Sequence, residues 1–436
     1  GHDAGLLVQF PQRRLAEGFA RLHQSARQRV EVFHRRLAPH RQEDPILAEA
    51  GHGGGEQGTG RIEAAQGSVD SYLDGTLYLG GEAQDAQMVF RLSYDSVSIA
   101  LDLLRTVTGW IAYGLVGLAI LFFSGYWLVR RWARKVNLDM TATLIAGSVA
   151  ALSAWMVFLV WASLFATLNA MTVRLIVGAS CMLGVLQFAR DRERWRRKQY
   201  WLGESSLSTL ALWTVILLAV ALRLFVGRGM VMLPGGDTYH HKLMIQLFEE
   251  QGGIPRSYEP YAPLISFSYH FGFHSIVALV RWLFGTELLL ATKTVALVLN
   301  GAVAATVALV AERWAGNRRS GVIAAAFAGL IMVTPFALLR WGRFTQTAGL
   351  LFLAGGLLAL TVVGESAGWV FPSLLIAGMV LSHYRVAFLW MLFVVIASGA
   401  RLVQRRWREV RDWLILGVCS LALVAPWLVR VAWVLY

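Results

Sequence analysis

Residues 233–274 read LPGGDTYHHKLMIQLFEEQGGIPRSYEPYAPLISFSYHFGFH, and the interpretation of the whole chain starts from this stretch. It is long, polar and aromatic, whereas apolar runs surround it on both sides. Several of its side chains can transfer protons or bind metals. These are Asp237, His240, His241, Tyr269, His270 and His274. We therefore expect any chemistry that the protein performs to take place here.

The composition is that of a polytopic membrane protein. The chain has 436 residues, of which 56% are hydrophobic, and 17 are Trp. Its two cysteines, Cys181 and Cys419, both lie within apolar runs, which argues against a disulfide framework. The net charge of +13 comes largely from Lys and Arg in short loops between apolar runs. This pattern indicates membrane topology and does not call for a nucleic-acid partner.

The first 103 residues differ from the rest, and we expect them to form an extracytoplasmic N-terminal segment. Residues 1–65 lack a clear apolar stripe and are expected to be partly disordered. Within 69–95, TLYLGG and QMVFRLSY alternate apolar and polar positions around a Gly-Gly turn, which favours a β-hairpin. The chain begins without Met and ends at Tyr436 inside an apolar run, so we expect it to be truncated.

Apolar runs long enough to span a membrane follow one another from residue 104 onward, and they predict an all-α polytopic membrane protein with about ten transmembrane helices. The predicted spans are 107–129, 141–166, 172–189, 204–226, 287–311, 320–339, 346–363, 369–382, 385–401 and 412–434. Residues 104–203 hold three additional helices, and residues 204–436 hold the core, with a loop at 227–286.

The positions of Lys and Arg predict the orientation. Basic clusters follow the first, third, fifth and ninth spans, so a single alternating count places all of them on one side. By the positive-inside rule that side is cytoplasmic, and loop 227–286 then lies outside. This count requires that 264–285 does not span. Its short apolar core carries Arg281, so we expect an interfacial helix there, and a second one from Leu243 to Phe248.

The same count places further cationic groups on the outer face. They are Arg340, Arg343, His383 and Arg385 in two turns, and Lys293 about two helical turns inside the fifth span. Ionisable groups at membrane depth are costly and usually mark a site. Arg suits phosphate because its planar fork forms two parallel hydrogen bonds. An anionic ligand is therefore expected on this face.

Each of these features also has a purely structural interpretation. Asp237 could cap the helix that follows it. The i,i+4 pairs Asp237/His241 and His270/His274 could bind a divalent metal, or they could be wet surface groups. Arg340 and Arg343 could snorkel to membrane-lipid headgroups, and His383 could be a packed histidine.

The order of these elements resembles that of the GT-C superfamily of integral membrane glycosyltransferases, which use polyprenyl-phosphate-linked sugars. The resemblance covers about residues 204–401. It consists of GGDTYHHKLMIQLFEEQGG, then YEPYAPLISFSYHFGFHSIVALVRWLFG, then AERWAGNRR, AAAFAGLIMVTPF and an outer turn with Arg. It implies that Asp237 is the catalytic base or the carboxylate that orients the acceptor, and that Arg340 and Arg343 lie near the donor phosphate. The turn at 340–346 departs from the family because it lacks the acidic residue that many members carry.

The resemblance implies sugar transfer at the extracytoplasmic face of a bacterial-type plasma membrane, with a glycan, lipid or protein acceptor. A carboxylate can take the proton of an acceptor hydroxyl, and cations stabilise a departing phosphate. The chain lacks a Gly-rich nucleotide loop, which argues against a nucleotide-sugar donor. Two other classes stay open: a transporter of an anionic or lipid-linked substrate, and a non-catalytic membrane scaffold.

Overall fold

The computed structural model describes residues 61–67, 77–79, 82–84, 87–93, 96–197, 206–264, 266–363 and 368–435. Most of the segment predicted to be partly disordered, 1–65, lies outside these residues. Four strands precede the helices: β1 Arg61–Gly67, β2 Leu77–Leu79, β3 Glu82–Gln84 and β4 Gln87–Ser93. β1 pairs with β4 and β2 pairs with β3, both antiparallel. The range 69–95 thus holds three of these strands, and β4 pairs with a strand that lies before that range.

The rest of the described chain is helical. The helices are α1 Ser96–Lys135, α2 Met140–Ala162, α3 Ala170–Arg190, α4 Arg192–Trp195, α5 Ser206–Gly227, α6 Asp237–Glu250, α7 Gly272–Phe284, α8 Leu288–Ala315, α9 Arg318–Ala326, α10 Val333–Arg340, α11 Phe344–Val362, α12 Val370–Ser382, α13 Tyr384–Val403 and α14 Trp407–Leu435. A π-helical turn, Phe327–Ile331, joins α9 to α10.

Nine helices of the described chain are long and apolar enough to cross a membrane, with α9, the π-helical turn and α10 counted together as one span, Arg318–Arg340. From Ser96 onward, the described chain is that of an all-α polytopic membrane protein. The remaining predicted span, 369–382, is the eighth of the ten and corresponds to α12, whose 13 residues extend only about 20 Å. α12 is nevertheless almost entirely buried. Its Phe371 stacks on Trp132 of α1 with ring centroids 5.0 Å apart.

The core of the bundle is formed by α2, α8, α11 and α12. Within the membrane-spanning windows of α2, α8 and α11, 78%, 67% and 72% of residues are buried, against 6% for α1 and for α13. The outer helices therefore present their apolar side chains outward, as the lipid-facing helices of a membrane bundle do.

Polar contacts divide the loops between two ends of the bundle. At one end, Arg318 forms an ion pair with Asp139, and Arg194 donates to the carbonyl oxygen of Leu138 at 2.5 Å. These contacts bring together the turns that follow α1, α3 and α8, where three of the basic clusters lie. At the other end, Leu168 N–H donates to the carbonyl oxygen of Gly252 at 2.6 Å. The loop after α2 therefore meets the loop after α6, as the alternating count requires.

Helix α7 differs from the prediction of a surface-lying interfacial helix. Residues 272–279 and Trp282 are buried among neighbouring helices. Gly272 makes this possible, because a Cβ there would lie 2.5 Å from Ser382 Oγ. Arg281, the residue that argued against a membrane span here, forms an ion pair with Glu249 of α6. The apolar face of α7 packs against protein, and the sequence alone does not distinguish that partner from lipid.

Candidate functional site

Two tight turns, 234–236 and 341–343, are in direct contact beside Asp237. Gly235 has φ +113°, and a Cβ on it would lie 2.5 Å from the backbone N of Gly342. Gly342 has φ +69°, and a Cβ on it would lie 3.5 Å from Asp237 Cβ. Both glycines are required for conformation and for space. The contact places Asp237 against the turn whose two sides are Arg340 and Arg343.

Asp237 is exposed and is the first residue of α6. The residue at the N-cap position is Gly236, and no side chain caps this end of the helix with a hydrogen bond. The alternative that Asp237 only caps α6 is therefore not supported by its geometry. The helix N-terminus favours a negative charge at this position. The carboxylate is left available for a ligand.

Beneath Asp237, His241 connects three parts of the site. Its Nε2 lies 2.8 Å from the carbonyl oxygen of Gly342, and its Nδ1 lies 2.9 Å from Nε2 of His274. A carbonyl oxygen only accepts, so His241 Nε2 carries a proton. In a neutral ring its Nδ1 then accepts from His274 Nε2–H. The remaining nitrogen, His274 Nδ1, is buried and has no hydrogen-bond partner among the described residues.

A second group of aromatic and histidine side chains lies against the first. His270 Nε2 lies 3.0 Å from Thr345 Oγ1, and its ring centroid is 4.5 Å from that of His383. Tyr269 packs on His270 with centroids 3.9 Å apart. Tyr384 O–H donates to the carbonyl oxygen of Ser268 at 2.8 Å, which ties the turn before α13 to the loop before α7.

Burial keeps the four buried histidines of the site neutral. It lowers the pKa of His241 to about 4, against the hydrogen bond to Gly342 and the nearby Asp237, which act to raise it. Burial, with a smaller contribution from His383, lowers the pKa of His270 to about 3. The pKa of His383 falls to about 4 through burial and then through Arg385 and Arg343. Burial also holds the pKa of His274 well below its usual range.

The predicted cationic residues are distributed unevenly around this site. Arg340, Arg343 and Arg385 are exposed, and Arg343 lies over the ring of Trp341 at 5.3 Å. His240 is also exposed. Lys293 is separate from the cluster, because its Nζ donates to the carbonyl oxygen of Met230 after the end of α5. The exposed arginines therefore line a rim above buried, neutral imidazoles.

The donor set does not fit a metal ion at Asp237 and His241. Both ring nitrogens of His241 are engaged in hydrogen bonds, so neither offers a free lone pair. Metal ions in proteins usually need three or more protein ligands. Within the described ranges, no group of three or more His, Cys, Asp or Glu side chains could hold one.

Two buried polar residues next to this site were absent from the sequence-based predictions. Arg223 in α5 is 1% exposed and Asn300 in α8 is fully buried. Arg223 Nε donates to Asn300 Oδ1 at 2.6 Å. Each is a single polar residue inside an apolar run, in VALRLFV and LVLNGAV, and that isolation is a signal for function in a span.

Residues 118–436 match the profile of DUF6541, a family of unknown function. No curated protein and no solved structure matches the chain. The match begins inside α1 and includes every residue of the site.

Proposed function

We propose that this chain, which belongs to the DUF6541 family, is a membrane glycosyltransferase that transfers a sugar from a polyprenyl-phosphate donor to an acceptor. The observation that carries the proposal is the contact between the turns at Gly235 and Gly342. This contact sets Asp237, which is exposed and does not cap α6, beside Arg340 and Arg343. We place this site at the extracytoplasmic face of a bacterial-type plasma membrane, opposite the basic clusters.

In the proposed reaction, Asp237 accepts the proton of an acceptor hydroxyl while the hydroxyl oxygen attacks the anomeric carbon of the sugar. The bond between that carbon and the phosphate oxygen breaks, and polyprenyl phosphate leaves with both electrons. Arg340 and Arg343 stabilise the negative charge that grows on the phosphate. A lipid-borne donor and a water-borne acceptor would meet at the end of a membrane bundle, where this site lies.

The buried histidines support this role by fixing the two turns. Because His241 is neutral and donates to the carbonyl oxygen of Gly342, it holds α6 against the turn without adding a charge beneath Asp237. The exposed carboxylate and the exposed Arg rim therefore keep a defined spacing. A displacement of about 1 Å can lower the rate by about 10²-fold, so holding this spacing fixed would matter for the rate.

The test is release of polyprenyl phosphate by the purified protein in liposomes, with a set of polyprenyl-phosphate monosaccharides as donors. We expect Asp237→Asn to lower the rate by about 10²–10⁴-fold, since it removes a general base. The substitution keeps the side-chain shape and breaks no capping bond, so the thermal unfolding temperature stays near that of the wild type. Glu259→Gln, an exposed carboxylate in the same loop, is the control. Full activity of Asp237→Asn would remove Asp237 from the mechanism.

One observation favours a transporter as the second candidate. Arg223 and Asn300 lie buried at a break in a span, and transporters place polar groups at broken helices. A transporter would move an anionic or lipid-linked probe across the vesicle without chemical change. Measuring flux and polyprenyl phosphate release in the same vesicles separates the two functions.

A further inference from the structure

We propose that Arg223 is a positioning residue: together with Asn300 it holds the break in the sixth span and thereby fixes the turn that carries Arg340 and Arg343. This inference rests on the proposed function of that turn. The span concerned, Arg318–Arg340, consists of α9, the π-helical turn and α10.

The break exposes backbone groups that need partners. Met332 has extended geometry (φ −73°, ψ 139°), and Thr334 is also non-helical (φ −92°, ψ 130°). Pro335, the next residue, has no N–H to continue the helical series. Backbone carbonyls that lose their helical partners inside a membrane must be satisfied by other groups. At this break the donors come from α5 and α8.

Arg223 supplies the first donor. Its Nη1 donates to the carbonyl oxygen of Gly329 in the π-helical turn at 2.8 Å, and to that of Ala219 in its own helix at 2.9 Å. Its guanidinium also lies over the ring of Phe336 in α10, with Cζ 5.4 Å from the centroid. One planar fork thus contacts both sides of the break, and a Lys ammonium lacks the geometry to do so.

Asn300 supplies the second donor and extends the connection to the turn. Its Oδ1 accepts from Arg223 while its Nδ2 donates to the carbonyl oxygen of Pro335 at 2.8 Å. The same Nδ2 lies 3.5 Å from Thr347 Oγ1. Thr347 N–H in turn donates to the carbonyl oxygen of Arg343 at 3.1 Å. Hydrogen bonds therefore run from α5 through α8 to the backbone on both sides of the turn.

The burial of a charged Arg223 indicates that this position needs a hydrogen-bond donor and not simply a side chain that fills the space. The three hydrogen bonds that it donates within the described residues all go to neutral oxygens. A buried guanidinium without a carboxylate partner is costly. An apolar side chain could fill the same space at lower cost, yet it could not satisfy the freed carbonyl or bridge to Asn300. The cost of burying Arg223 is explained if the position of the break determines the position of the turn.

The experiment measures the geometry of the turn and donor use separately. Cys181 and Cys419 are replaced by Ala, and spin labels are attached through Tyr239→Cys and Trp341→Cys, two exposed positions on either side of Asp237. Distance distributions are then recorded for the otherwise unchanged chain and for Arg223→Met, Arg223→Lys and Asn300→Asp. Without the labels, kcat and KM for a polyprenyl-phosphate monosaccharide are measured with the same substitutions.

We expect Arg223→Met to broaden the distance distribution and to raise the donor KM by about 10- to 100-fold, the range expected for a displaced binding group. Arg223→Lys should broaden the distance distribution and raise the donor KM less than Arg223→Met does. Asn300→Asp keeps an acceptor for Arg223 but cannot donate to Pro335, so it should broaden the distribution even if Arg223→Met does not fold. A narrow distribution and a wild-type donor KM in Asn300→Asp, or in Arg223→Met, would overturn the proposal.

Arg430→Met is the matched control. Arg430 lies in another span, α14, and also donates to backbone carbonyls, those of Pro255 and Arg256. Its loss should lower stability without changing the distance distribution or the donor KM. If the wild-type chain releases no polyprenyl phosphate, the proposed function fails, and the distance measurements still decide whether Arg223 positions the turn.

Discussion

His241 and His274 form a buried imidazole pair, joined by a hydrogen bond of 2.9 Å between Nδ1 of the first and Nε2 of the second. The other nitrogen of His241 donates to Gly342, so one side chain of α6 connects α7 to the turn after α10. Three separate parts of the chain therefore depend on one neutral ring. This relationship gives the first prediction.

We expect His241 and His274 to be energetically coupled. His274→Leu leaves His241 Nδ1 buried without its donor, which costs about 1–3 kcal/mol of the free energy of unfolding. In the double variant with His241→Leu the unpaired group is gone. The two effects should then differ from additivity by about 0.5–3 kcal/mol. Chemical unfolding in detergent of the wild type, both single variants and the double variant measures the coupling, and additive effects would contradict it.

The buried histidines also predict how stability depends on pH. The pKa of His241 and His383 falls from 6.5 to about 4 on folding, and that of His270 to about 3. Below pH 6.5 the unfolded chain therefore binds more protons than the folded chain. The free energy of unfolding should be constant above this value and fall as the pH is lowered towards 4, by up to about 1.4 kcal/mol per pH unit for each ring.

Thermal unfolding in detergent between pH 7.5 and 4.5 tests this prediction. His270→Gln should flatten the decline, because it removes one ring that resists protonation. His240→Gln removes an exposed histidine from α6 and serves as the control. An unfolding temperature that rises as the pH falls would show that the sign is wrong.

Apolar runs and their lengths predicted the helices of the bundle, because burial in a membrane requires long apolar segments. The sequence also predicted a helix from Leu243 to Phe248, and these residues lie within α6. The environment of α7 could not be predicted in the same way. Its apolar face packs against protein, and periodicity records only that a face avoids water. The ion pair of Arg281 with Glu249 depends on a tertiary contact that spacing does not encode.

The candidate site shows the same division. The sequence predicted which side chains form the site. It also predicted that the turns around Asp237 and His383 lie at the same end of the bundle. The contact between Gly235 and Gly342 could not, because it joins residues 107 positions apart through backbone shape alone. Arg223 and Asn300 were missed although a single polar residue inside an apolar run is itself a signal, because the sequence does not show which groups lie beside it in the bundle.

The contact of the two turns predicts different effects for two adjacent glycines. Gly235→Ala adds a Cβ about 2.5 Å from backbone atoms of Trp341 and Gly342 at φ +113°. Gly236→Ala adds one with no atom within 4 Å and at φ −60°. We expect Gly235→Ala to lower the free energy of unfolding by about 1–3 kcal/mol, the usual cost of a strained backbone position. We also expect it to reduce the proposed sugar transfer. Gly236→Ala should be close to wild type in both assays, and equal effects of the two would contradict the contact.

The arrangement of the loops predicts which positions an impermeant thiol reagent reaches from outside intact cells. In a chain with Cys181 and Cys419 replaced by Ala, Glu259→Cys and Trp341→Cys should react, and Arg196→Cys should not. All three positions are exposed, so a difference between them reports the side of the membrane and not burial. After the cells are permeabilised, Arg196→Cys should react as well. Labelling of Arg196→Cys in intact cells would reverse the proposed orientation.

The division of roles within the site predicts a kinetic split between the arginines and Asp237. Arg340 and Arg343 are exposed on the turn beside Asp237, where they would contact the donor phosphate in the ground state and in the transition state. Arg343→Ala should therefore raise the donor KM and lower kcat/KM, since a hydrogen bond to a charged group contributes about 1.5–3 kcal/mol. Asp237→Asn should lower kcat with little change in the donor KM, because in the proposed reaction Asp237 acts on the acceptor.

Arg343→Lys distinguishes a fork from a point charge. A bidentate contact with phosphate needs the planar guanidinium, so Lys should recover only part of the loss in kcat/KM. Arg256→Ala removes an exposed cation from the neighbouring loop and controls for the general charge of this face. Steady-state rates of polyprenyl phosphate release at varied donor concentration measure all of these variants. If Arg256→Ala and Arg343→Ala raise the donor KM equally, the arginines act only through the charge of the surface, and the assignment of Arg343 to the donor phosphate is wrong.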